Sequence, residues 1–287
     1  MRTYLSCIQC IVRQSLEATE LAGSPASEAE QVMRMVLKRL SETPYDKTPA
    51  HMVMEAHRIV RTVTGNNDPY RILKERYNRR ALNLFVKMQE MVNASPDPFE
   101  TAARLAIAGN IIDFGHANTS SDISITSIVD ATPKSPLSID HVRHLEQEVV
   151  SARRILYLTD NAGEIVFDRL FIEQIKGHRE KVVVAVKGKA VINDATMDDA
   201  KQAGLYDIVR IIDTGCDAPG IILDQCSKSF QNEFDAADLI IAKGQGNYET
   251  LSSSPCNIYF LLKVKCPAIA VDLGLAIGDI IVKGNRV

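Results

Sequence analysis

The sequence predicts an α/β protein, in which an all-α N-terminal region precedes a C-terminal Rossmann-like, three-layer α/β/α domain with a mostly parallel sheet. Two observations predict this fold class. Up to about residue 108 apolar residues recur with a helical period, and after residue 152 short β-branched apolar runs alternate with helical segments. Alternation of strands and helices produces a parallel sheet that helices cover on both faces. A chain of 287 residues can bury such a core.

The N-terminal part is predicted to contain at least three helices. Ser27 caps the first, whose apolar residues recur at helical spacing. Asp68 and Pro69 open the second as N-cap and first helical residue. A proline-rich break at 95–98 opens the third. The predicted division is a helical domain over 1–108, a helical joint over 109–151 with a short helical pattern at 139–150, and the α/β domain that carries the site over 152–287.

Six apolar runs are predicted to be strands, separated by four helical segments. The predicted strands are 155–158, 182–186, 208–212, 239–242, 268–271 and 280–282, and the predicted helices are 163–176, 195–203, 219–235 and 256–263. The last run follows its predecessor too closely for a full crossover connection. We therefore expect it to be an antiparallel strand at the edge of the sheet.

Charge and hydropathy exclude several classes of function. The net charge of -3 gives no basic surface of the kind that binds nucleic acid. No apolar run approaches the roughly 18 residues that a membrane-spanning helix needs. The first residues also lack the apolar stretch of a signal peptide. We expect a cytoplasmic protein with neither a nucleic-acid partner nor a membrane partner.

Among the six cysteines, Cys7 and Cys10 form the one pair with metal-ligand spacing. A structural zinc site normally needs four ligands, and the sequence contains no second pair of this kind. Two thiols at i and i+3 lie on the same helix face. We interpret them first as thiols that pack into the core, and a redox or metal role stays open.

The most informative polar residues follow three of the predicted strands. They are Asp160-Asn161-Ala162-Gly163-Glu164, Asn193-Asp194 and Lys243-Gly244-Gln245-Gly246-Asn247-Tyr248-Glu249. The carboxyl ends of parallel strands meet at one edge of the sheet, where open α/β folds bind ligands. Carboxylate and amide oxygens suit Mg²⁺ or Mn²⁺, and a lysine with glycine amides suits an anion. The sequence therefore predicts a metal and a phosphate at this edge, the setting for phosphoryl transfer or phosphate-ester hydrolysis.

Each cluster also has a structural interpretation. Asp160, Asp213 and Asp272 could each cap the helix that follows a predicted strand. Lys243 alone could be a solvated lysine, and the glycines after it could form an ordinary turn. Nucleotide-binding sites are not supported, because neither Gly-x-Gly-x-x-Gly after the first strand nor a Gly-x-x-x-x-Gly-Lys-Ser/Thr loop is present. We favour a functional site because three clusters coincide at one edge.

These residues resemble the motifs of the metal-dependent damage-control phosphatase family, first catalogued as domain of unknown function 89. The heptapeptide at 243–249 is the most specific match when it is combined with the other two clusters. Further matches are Cys7-x-x-Cys10, Asp68-Pro69-Tyr70, Gly109-Asn110-Ile111-Ile112-Asp113-Phe114-Gly115 and Cys266-Pro267, so the resemblance covers essentially the whole chain. The chain looks most similar to the Cys-x-x-Cys-bearing prokaryotic branch, which is related to the phosphatase domain fused to pantothenate kinases.

The resemblance implies a helical N-terminal region, an α/β domain and a divalent metal such as Mg²⁺, Mn²⁺, Co²⁺ or Ni²⁺. It implies Asp160, Asn161 and Asp194 as metal ligands. It implies that Lys243 and Asn247 face the phosphate. It also implies hydrolysis of phosphate monoesters of small, often damaged metabolites, such as sugar phosphates and phosphopantetheine-like compounds.

Our leading hypothesis is a metal-dependent phosphatase that acts on a small phosphorylated metabolite. Asp160 and Lys243 are the predicted catalytic residues, and Asp160 acts either as a metal ligand or as a nucleophile. The predicted substrate- and phosphate-binding residues are Asn110, Asp113, Glu164, Gly244, Gln245, Gly246, Asn247 and Glu249. The alternatives are an S-adenosylmethionine-dependent methyltransferase and a non-catalytic metabolite-binding protein, which the fold class alone does not separate. The oligomeric state is left open.

Overall fold

The structure, a computed structural model, describes residues 1–111, 129, 130, 132 and 135–287, without the side chains of residues 110 and 111. Its first part is helical, in agreement with the predicted all-α region. The helices are α1 (Leu5–Leu21), α2 (Ala26–Glu42), α3 (Pro49–Thr64), α4 (Arg71–Asn93) and α5 (Pro98–Ile111). None of the helices in the described ranges is both long and apolar enough to cross a membrane.

The remaining described residues form a sheet with helices between its strands. The strands are β1 (Ile139–Asp140), β2 (Ile155–Leu158), β3 (Val182–Val186), β4 (Arg210–Asp213), β5 (Leu239–Lys243), β6 (Ile258–Lys263) and β7 (Ile280–Gly284). The helices are α6 (Val142–Ser151), α7 (Glu164–Glu173), α8 (His178–Lys181), α9 (Met197–Gln202), α10 (Lys228–Ala236), α11 (Gly244–Leu251) and α12 (Pro267–Leu273), with short 3₁₀ turns at Leu205–Asp207 and Leu223–Gln225.

The strands form one 7-stranded sheet in the order β1-β7-β6-β5-β2-β3-β4. Every pair of neighbours is parallel except β6 and β7, which are antiparallel. The predicted α/β class with a mostly parallel sheet is therefore confirmed. Since β2, β3 and β5 are parallel neighbours at the centre, their carboxyl ends lie side by side at one edge.

The sheet is the middle layer of the structure, as the side chains of β2 show. Ile155 and Tyr157 belong to a core cluster that includes residues of α4, α5 and α7, whereas Leu156 and Leu158 belong to a second cluster on the opposite face with residues of α10, α11 and α12. Because side chains alternate between the faces of a strand, these two clusters lie on opposite sides of the sheet. The first cluster contains residues from both predicted domains, and the predicted domain boundaries stay a prediction.

Two adjacent predictions near the C-terminus are wrong. Residues 256–263 were predicted to be a helix but contain β6, and residues 268–271 were predicted to be a strand but lie in α12. The run at 258–262 is buried throughout because strands flank β6 on both sides and helices cover both faces. Such a short apolar run has no period that separates a strand from a buried helix. Pro267 begins α12 at its first position, where its missing N–H is not needed.

The edge of the sheet also differs from the prediction. β7 is antiparallel to β6 as expected, but it is not the edge strand, because β1 pairs with its other side. β1 lies at the start of the segment that was predicted to be helical, and the helix of that segment begins only at Val142. Similarly, the helix predicted over 219–235 begins at Lys228.

His57 of α3 is a titratable group inside the helical region. Its side chain is 3% exposed, and its Nε2 atom has no hydrogen-bond partner among the described residues. Burial lowers the pKa of His57 from 6.5 to about 4, and the nearby charge of Arg61 acts in the same direction. The folded protein therefore holds this imidazole neutral at pH 7.

We expect this neutral histidine to make the protein sensitive to mild acid. The folded-state pKa lies below the unfolded value, so the unfolded chain binds more protons, and stability is lost as the pH falls from about 6.5 to about 4. His57→Phe removes this titratable group and keeps an aromatic ring at the same buried position. Urea unfolding between pH 4 and pH 7 should show that the variant loses about 2–4 kcal/mol less than the wild type over this interval. If the free energy of unfolding depends on pH in the same way in both proteins, protonation of His57 does not destabilise the folded state.

Candidate functional site

The loops after β2 and β3 are joined at the carboxyl edge of the sheet. Asn161 and Asp194 form an isolated antiparallel bridge. The N–H of Ala195 donates to the carbonyl oxygen of Asp160 at 2.8 Å. Backbone pairing therefore brings together the side chains that were predicted to bind a metal, Asp160, Asn161 and Asp194.

Asp194 carries a buried carboxylate oxygen that lacks a hydrogen bond. The residue is 3% exposed, and no described residue forms a hydrogen bond with its Oδ2 atom. The ammonium nitrogen of Lys187 lies 3.5 Å from this oxygen. Burial raises the pKa of Asp194 to about 6, although Lys187 opposes the shift. A buried carboxylate with an oxygen that lacks a hydrogen bond favours the binding of a cation.

The carboxylate of Asp160 experiences the same excess of negative charge. Burial raises the pKa of Asp160 well above its usual range, and the carboxylates of Glu164 and Asp194 raise it further. Lys265 and Lys187 oppose these effects. Asp160 and Asp194 are thus two carboxylates whose ionised forms repel each other.

The donor atoms fit a hard divalent cation. The Nδ2 atom of Asn161 donates to Asp160 Oδ2 at 2.8 Å and to Glu164 Oε2 at 3.2 Å. Its amide oxygen is then the atom that can face a cation, beside the two aspartates. In the part of the chain that the structure describes, no three His, Cys, Asp or Glu side chains form a group that could hold a metal. The amide of Asn161 is therefore needed to complete a three-ligand set with Asp160 and Asp194.

Lys243 lies beneath this edge and does not face the cavity, contrary to the prediction. Its side chain is fully buried, and its ammonium donates to Ala106 O at 2.9 Å, Glu164 Oε1 at 2.6 Å and Asp168 Oδ1 at 2.7 Å. All three of its protons are bound by protein acceptors. Burial alone lowers the pKa of the ammonium, but the carboxylates of Asp168 and Glu164 outweigh burial and raise it. Lys243 does lie at the end of a strand, as predicted. The sequence did not reveal that Glu164 and Asp168 of α7 would pair with its ammonium inside the core.

Glu164 connects Lys243 to the predicted metal ligands. One of its carboxylate oxygens accepts from Lys243 and the other from Asn161. Asp168, one turn further along α7, also accepts from the hydroxyl of Tyr157 at 2.8 Å. The result is a continuous chain of hydrogen bonds from the core to the amide that faces the site.

Asn247 was predicted to face a phosphate, but it also lies outside the cavity. It is buried, and its Nδ2 atom donates to Thr159 O at 3.1 Å and to Lys243 O at 2.7 Å. These bonds tie the first turn of α11 to the ends of β2 and β5. Its amide nitrogen therefore binds the backbone, while its Oδ1 atom has no hydrogen-bond partner among the described residues.

Other residues of the heptapeptide do line the cavity, namely Gln245, Gly246 and Glu249. Gln245 Oε1 accepts the backbone N–H of Lys265 at 2.6 Å. Burial raises the pKa of Glu249 to about 7, against a lowering by the N-terminal amine. Whether these residues bind a substrate stays a prediction.

The backbone of Gly244 lies close to the carboxylate of Asp160. Its φ angle is +73°, and a Cβ atom at this position would lie 2.0 Å from Asp160 Oδ2. No side chain fits there without displacing the carboxylate. Gly244 therefore shapes the site by its lack of a side chain.

A cavity of about 730 Å³ opens above the predicted metal ligands. Its walls include α1 and the start of α12, through Ser6, Cys7, Gln9, Cys10, Ile11, Arg13, Gln14, Glu17, Lys265, Cys266, Pro267 and Ala268. Cys7 is half-buried and Cys10 is exposed. Our first interpretation, that both thiols pack into the core, is therefore wrong, because α1 turns this face towards the cavity. Burial raises the pKa of Cys7 and of Cys266.

Sequence reasoning assigned no role to three residues of this region. Lys187 follows β3, and its position at a strand end was the available signal. Lys265 lines the cavity two residues after the end of β6, which was predicted to be a helix. Asn78 of α4 accepts the N–H of Gly163 at 2.6 Å and donates to Asp199 at 2.8 Å, and nothing in a mid-helix asparagine indicates this contact.

The remaining predicted residues divide into two groups. Asp213 and Asp272 are structural, since Asp213 accepts the N–H of Gly215 at 2.7 Å and Asp272 accepts the hydroxyl of Tyr248 at 2.9 Å. Asn110 lies in the last turn of α5, but its side chain lies outside the described residues, as does all of Asp113. Their predicted roles stay predictions.

Comparison with known proteins gives consistent matches along the chain. The family described as "Damage-control phosphatase ARMT1-like domain" matches residues 3–281. A damage-control phosphatase of Pyrococcus horikoshii is 33% identical, covering 100% of this chain and 99% of that protein, and one of Archaeoglobus fulgidus is 34% identical, covering 96% and 97%. An uncharacterised protein of Methanocaldococcus jannaschii is 39% identical, covering 95% and 92%. The crystal structure of a P. horikoshii protein of the domain of unknown function 89 family superposes with a TM-score of 0.90 at 35% identity, covering 99% of each chain.

Two glycine variants can isolate the contact between Gly244 and Asp160. Gly244 and Gly274 both have positive φ, but a Cβ at Gly274 meets no atom within 4 Å. Alanine at either position carries backbone strain of roughly 1–2 kcal/mol. We expect Gly244→Ala to be less stable than Gly274→Ala by about 1–3 kcal/mol in urea unfolding, and to lose any stabilisation by Mn²⁺. Equal behaviour of the two variants would show that the carboxylate moves aside freely.

Proposed function

This chain belongs to the damage-control phosphatase ARMT1-like domain family, and on that premise we propose that it is a metal-dependent phosphatase that hydrolyses phosphate monoesters of small metabolites. One observation carries the proposal. The buried Asp194 oxygen without a hydrogen bond lies beside Asp160 at the floor of a cavity. The volume of about 730 Å³ is in the range of sites for small molecules. The names of the relatives from P. horikoshii and A. fulgidus support the same activity.

Asp160, Asn161 and Asp194 are the residues that would hold the cation. A divalent cation bound there neutralises phosphate charge and favours in-line displacement. Asn161 presents its amide oxygen because Glu164 and Asp160 bind its nitrogen. Lys243 acts as a positioning residue, since it fixes Glu164 from below.

Lys265 replaces Lys243 as the proposed cationic contact of the phosphate. It lines the cavity, and its positive charge opposes the raised pKa of Asp160. Its side chain forms no ion pair with another described residue, in contrast to Lys243. The bond from Gln245 to its backbone N–H fixes the chain at this position. A lysine with unused donors can bind phosphate oxygens as a point charge.

Small sugar phosphates and phosphopantetheine-like compounds are the proposed substrates, with Mg²⁺, Mn²⁺, Co²⁺ or Ni²⁺ as the metal. The alternatives, a methyltransferase and a non-catalytic metabolite-binding protein, use the same fold without release of phosphate. Assay of a panel of phosphate monoesters with and without Mn²⁺ separates the three. Binding of S-adenosylmethionine without a metal requirement, or tight ligand binding without turnover, would favour the alternatives.

The metal assignment predicts the behaviour of Asp194→Asn. Removal of one anionic ligand should lower the Mn²⁺-dependent phosphatase activity by about 100-fold or more, and should abolish the rise in thermal midpoint that Mn²⁺ causes. Asp213→Asn is the matched control, since Asp213 ends β4 at the same edge and does not line the cavity. Unchanged metal dependence in Asp194→Asn would place the metal elsewhere.

The lysine assignment predicts different outcomes for three variants. Lys265→Met should fold normally and lose about 100-fold in kcat/KM, whereas the exposed Lys189→Met should retain activity. Lys243→Met should instead destabilise the protein by about 3–5 kcal/mol, because two buried carboxylates lose their partner. Steady-state kinetics and urea unfolding on the same three variants test this. Normal activity in Lys265→Met would contradict the proposed contact.

A further inference from the structure

Two buried cysteines, Cys216 and Cys226, lie in the segment between β4 and α10 and take no part in the proposed phosphatase site. They are 4% and 8% exposed, and both are free thiols in this structure. In contrast to Cys7, Cys10 and Cys266, they do not line the cavity. A role for this pair is therefore separate from contact with a substrate.

Backbone contacts bring the two cysteines opposite each other. The N–H of Ser227 donates to the carbonyl oxygen of Thr214 at 2.9 Å, and a Cβ atom at Gly215 would lie 2.7 Å from the Cβ atom of Ser227. Cys216 is one residue forward from Gly215, and Cys226 is one residue back from Ser227. The two thiols therefore extend from neighbouring positions of two chain segments in contact, which is the arrangement that a disulfide requires.

The two sulfur atoms also interact with each other. The thiol of Cys226 has two acceptors, the carbonyl oxygen of Ile222 at 3.3 Å and the sulfur of Cys216. The hydrogen bond from Cys226 is the largest cause that lowers the pKa of Cys216 to about 6. Burial opposes this shift, whereas the N–H of Ala218 and the charge of Lys187 support it. Cys216 is therefore the thiol that ionises first, and a thiolate is the nucleophilic form of cysteine.

The residues between the two cysteines, which we call the 216–226 loop, form part of the cavity wall. Asp217 forms ion pairs with Arg58 and Arg61 of α3. The carbonyl oxygen of Gly220 accepts the ammonium of Lys187 at 2.6 Å, and residue 219 lines the cavity. A covalent bond between the ends of this loop would therefore act on the wall through the backbone.

We propose that Cys216 and Cys226 form a reversible oxidation site, at which hydrogen peroxide converts the two thiols into an intramolecular disulfide that restrains the 216–226 loop at the cavity wall. This inference goes beyond the proposed phosphatase function and does not depend on it.

The reaction takes place in two steps, with Cys216 as the attacking thiol. Its thiolate sulfur attacks one oxygen of the peroxide, so that an S–O bond forms as the O–O bond breaks, and the departing hydroxide takes up a proton to become water. The sulfur of Cys226 then attacks the sulfenic acid, so that the S–S bond forms as the S–O bond breaks. The oxygen leaves as water with the proton of the Cys226 thiol. Two thiols are oxidised, and one peroxide is reduced to two water molecules.

Peptide mapping of the folded wild-type protein tests the reaction directly. Both cysteines lie on one tryptic peptide, 211–228, because Arg210 and Lys228 are the nearest cleavage sites on either side. After treatment with hydrogen peroxide and alkylation in denaturant, this peptide should lose both alkylation sites and about 2 Da. It should do so at least about ten-fold faster than the partly exposed Cys256 is oxidised. Dithiothreitol should restore both sites.

A second digestion distinguishes the intramolecular disulfide from other oxidation products. Cleavage before Asp217 and Asp224 should leave the two cysteine fragments joined until a reductant is added. Oxidation of the 211–228 peptide no faster than that of Cys256, or direct conversion of Cys216 into a sulfinic acid, would overturn the proposal.

Two serine variants test the order of the steps. In Cys226→Ser the reaction should stop at the sulfenic acid of Cys216, which a 1,3-diketone probe traps. Cys256→Ser is the matched control and should form the disulfide as the wild type does. Absence of the trapped product in folded Cys226→Ser would overturn the role of Cys216 as the attacking thiol.

Hydrogen exchange tests the effect on the cavity wall. In the oxidised wild type, the amides of residues 217–225 should exchange at least about three-fold more slowly than in the reduced protein, because the closed ring opposes local opening. Peroxide-treated Cys226→Ser should show no such slowing. Equal exchange in the oxidised and reduced wild type would overturn the restraint of the 216–226 loop.

Discussion

The buried ammonium of Lys243 is the interaction on which the rest of this structure depends. An ammonium that has lost all contact with water is costly unless charges and hydrogen bonds replace the solvent. Glu164 and Asp168 of α7 supply the charges, and Ala106 of α5 supplies the third acceptor. One side chain from β5 therefore ties the sheet to two helices on one face. Glu164 is also the first residue of α7, so the contact lies next to the loop that carries the predicted metal ligands.

Two layers of carboxylates follow from this arrangement, and they differ in how their charge is compensated. In the lower layer, Glu164 and Asp168 share the charge of Lys243 at ion-pair distance. In the upper layer, the ammonium of Lys187 lies 3.5 Å from Asp194 and the charge of Lys74 also lowers the pKa of that carboxyl, but one of its oxygens has no hydrogen bond from a described residue. Asp168 Oδ2 in the lower layer also has no hydrogen-bond partner among the described residues, but Lys243 lies at ion-pair distance from the other oxygen of the same carboxylate. The upper layer has an excess of negative charge that a bound cation would balance, which is why we assign the metal to it.

Much of this could be predicted from the sequence, because strand-end positions depend mainly on local pattern. β2, β3 and β5 were predicted within a residue, so their polar ends were correctly expected at one edge. The errors have two physical causes. The short apolar runs after residue 255 carry no period, so β6 and α12 were exchanged and Lys265 was not recognised as a strand-end residue. The burial of Lys243 and the contacts of Asn78 depend on how helices distant in sequence pack on the sheet, which periodicity does not encode.

The walls of the cavity have a consequence for how the protein is made. One wall is α1, and another is the start of α12, which leaves the ribosome later than α1. Local helical contacts form early, and contacts between distant segments form late. The helices α1–α3 can therefore pack together during synthesis while their cavity-facing residues still lack the opposite wall. A nascent chain arrested before α12 would contain all three predicted metal ligands, but its site would still lack the wall that the start of α12 supplies.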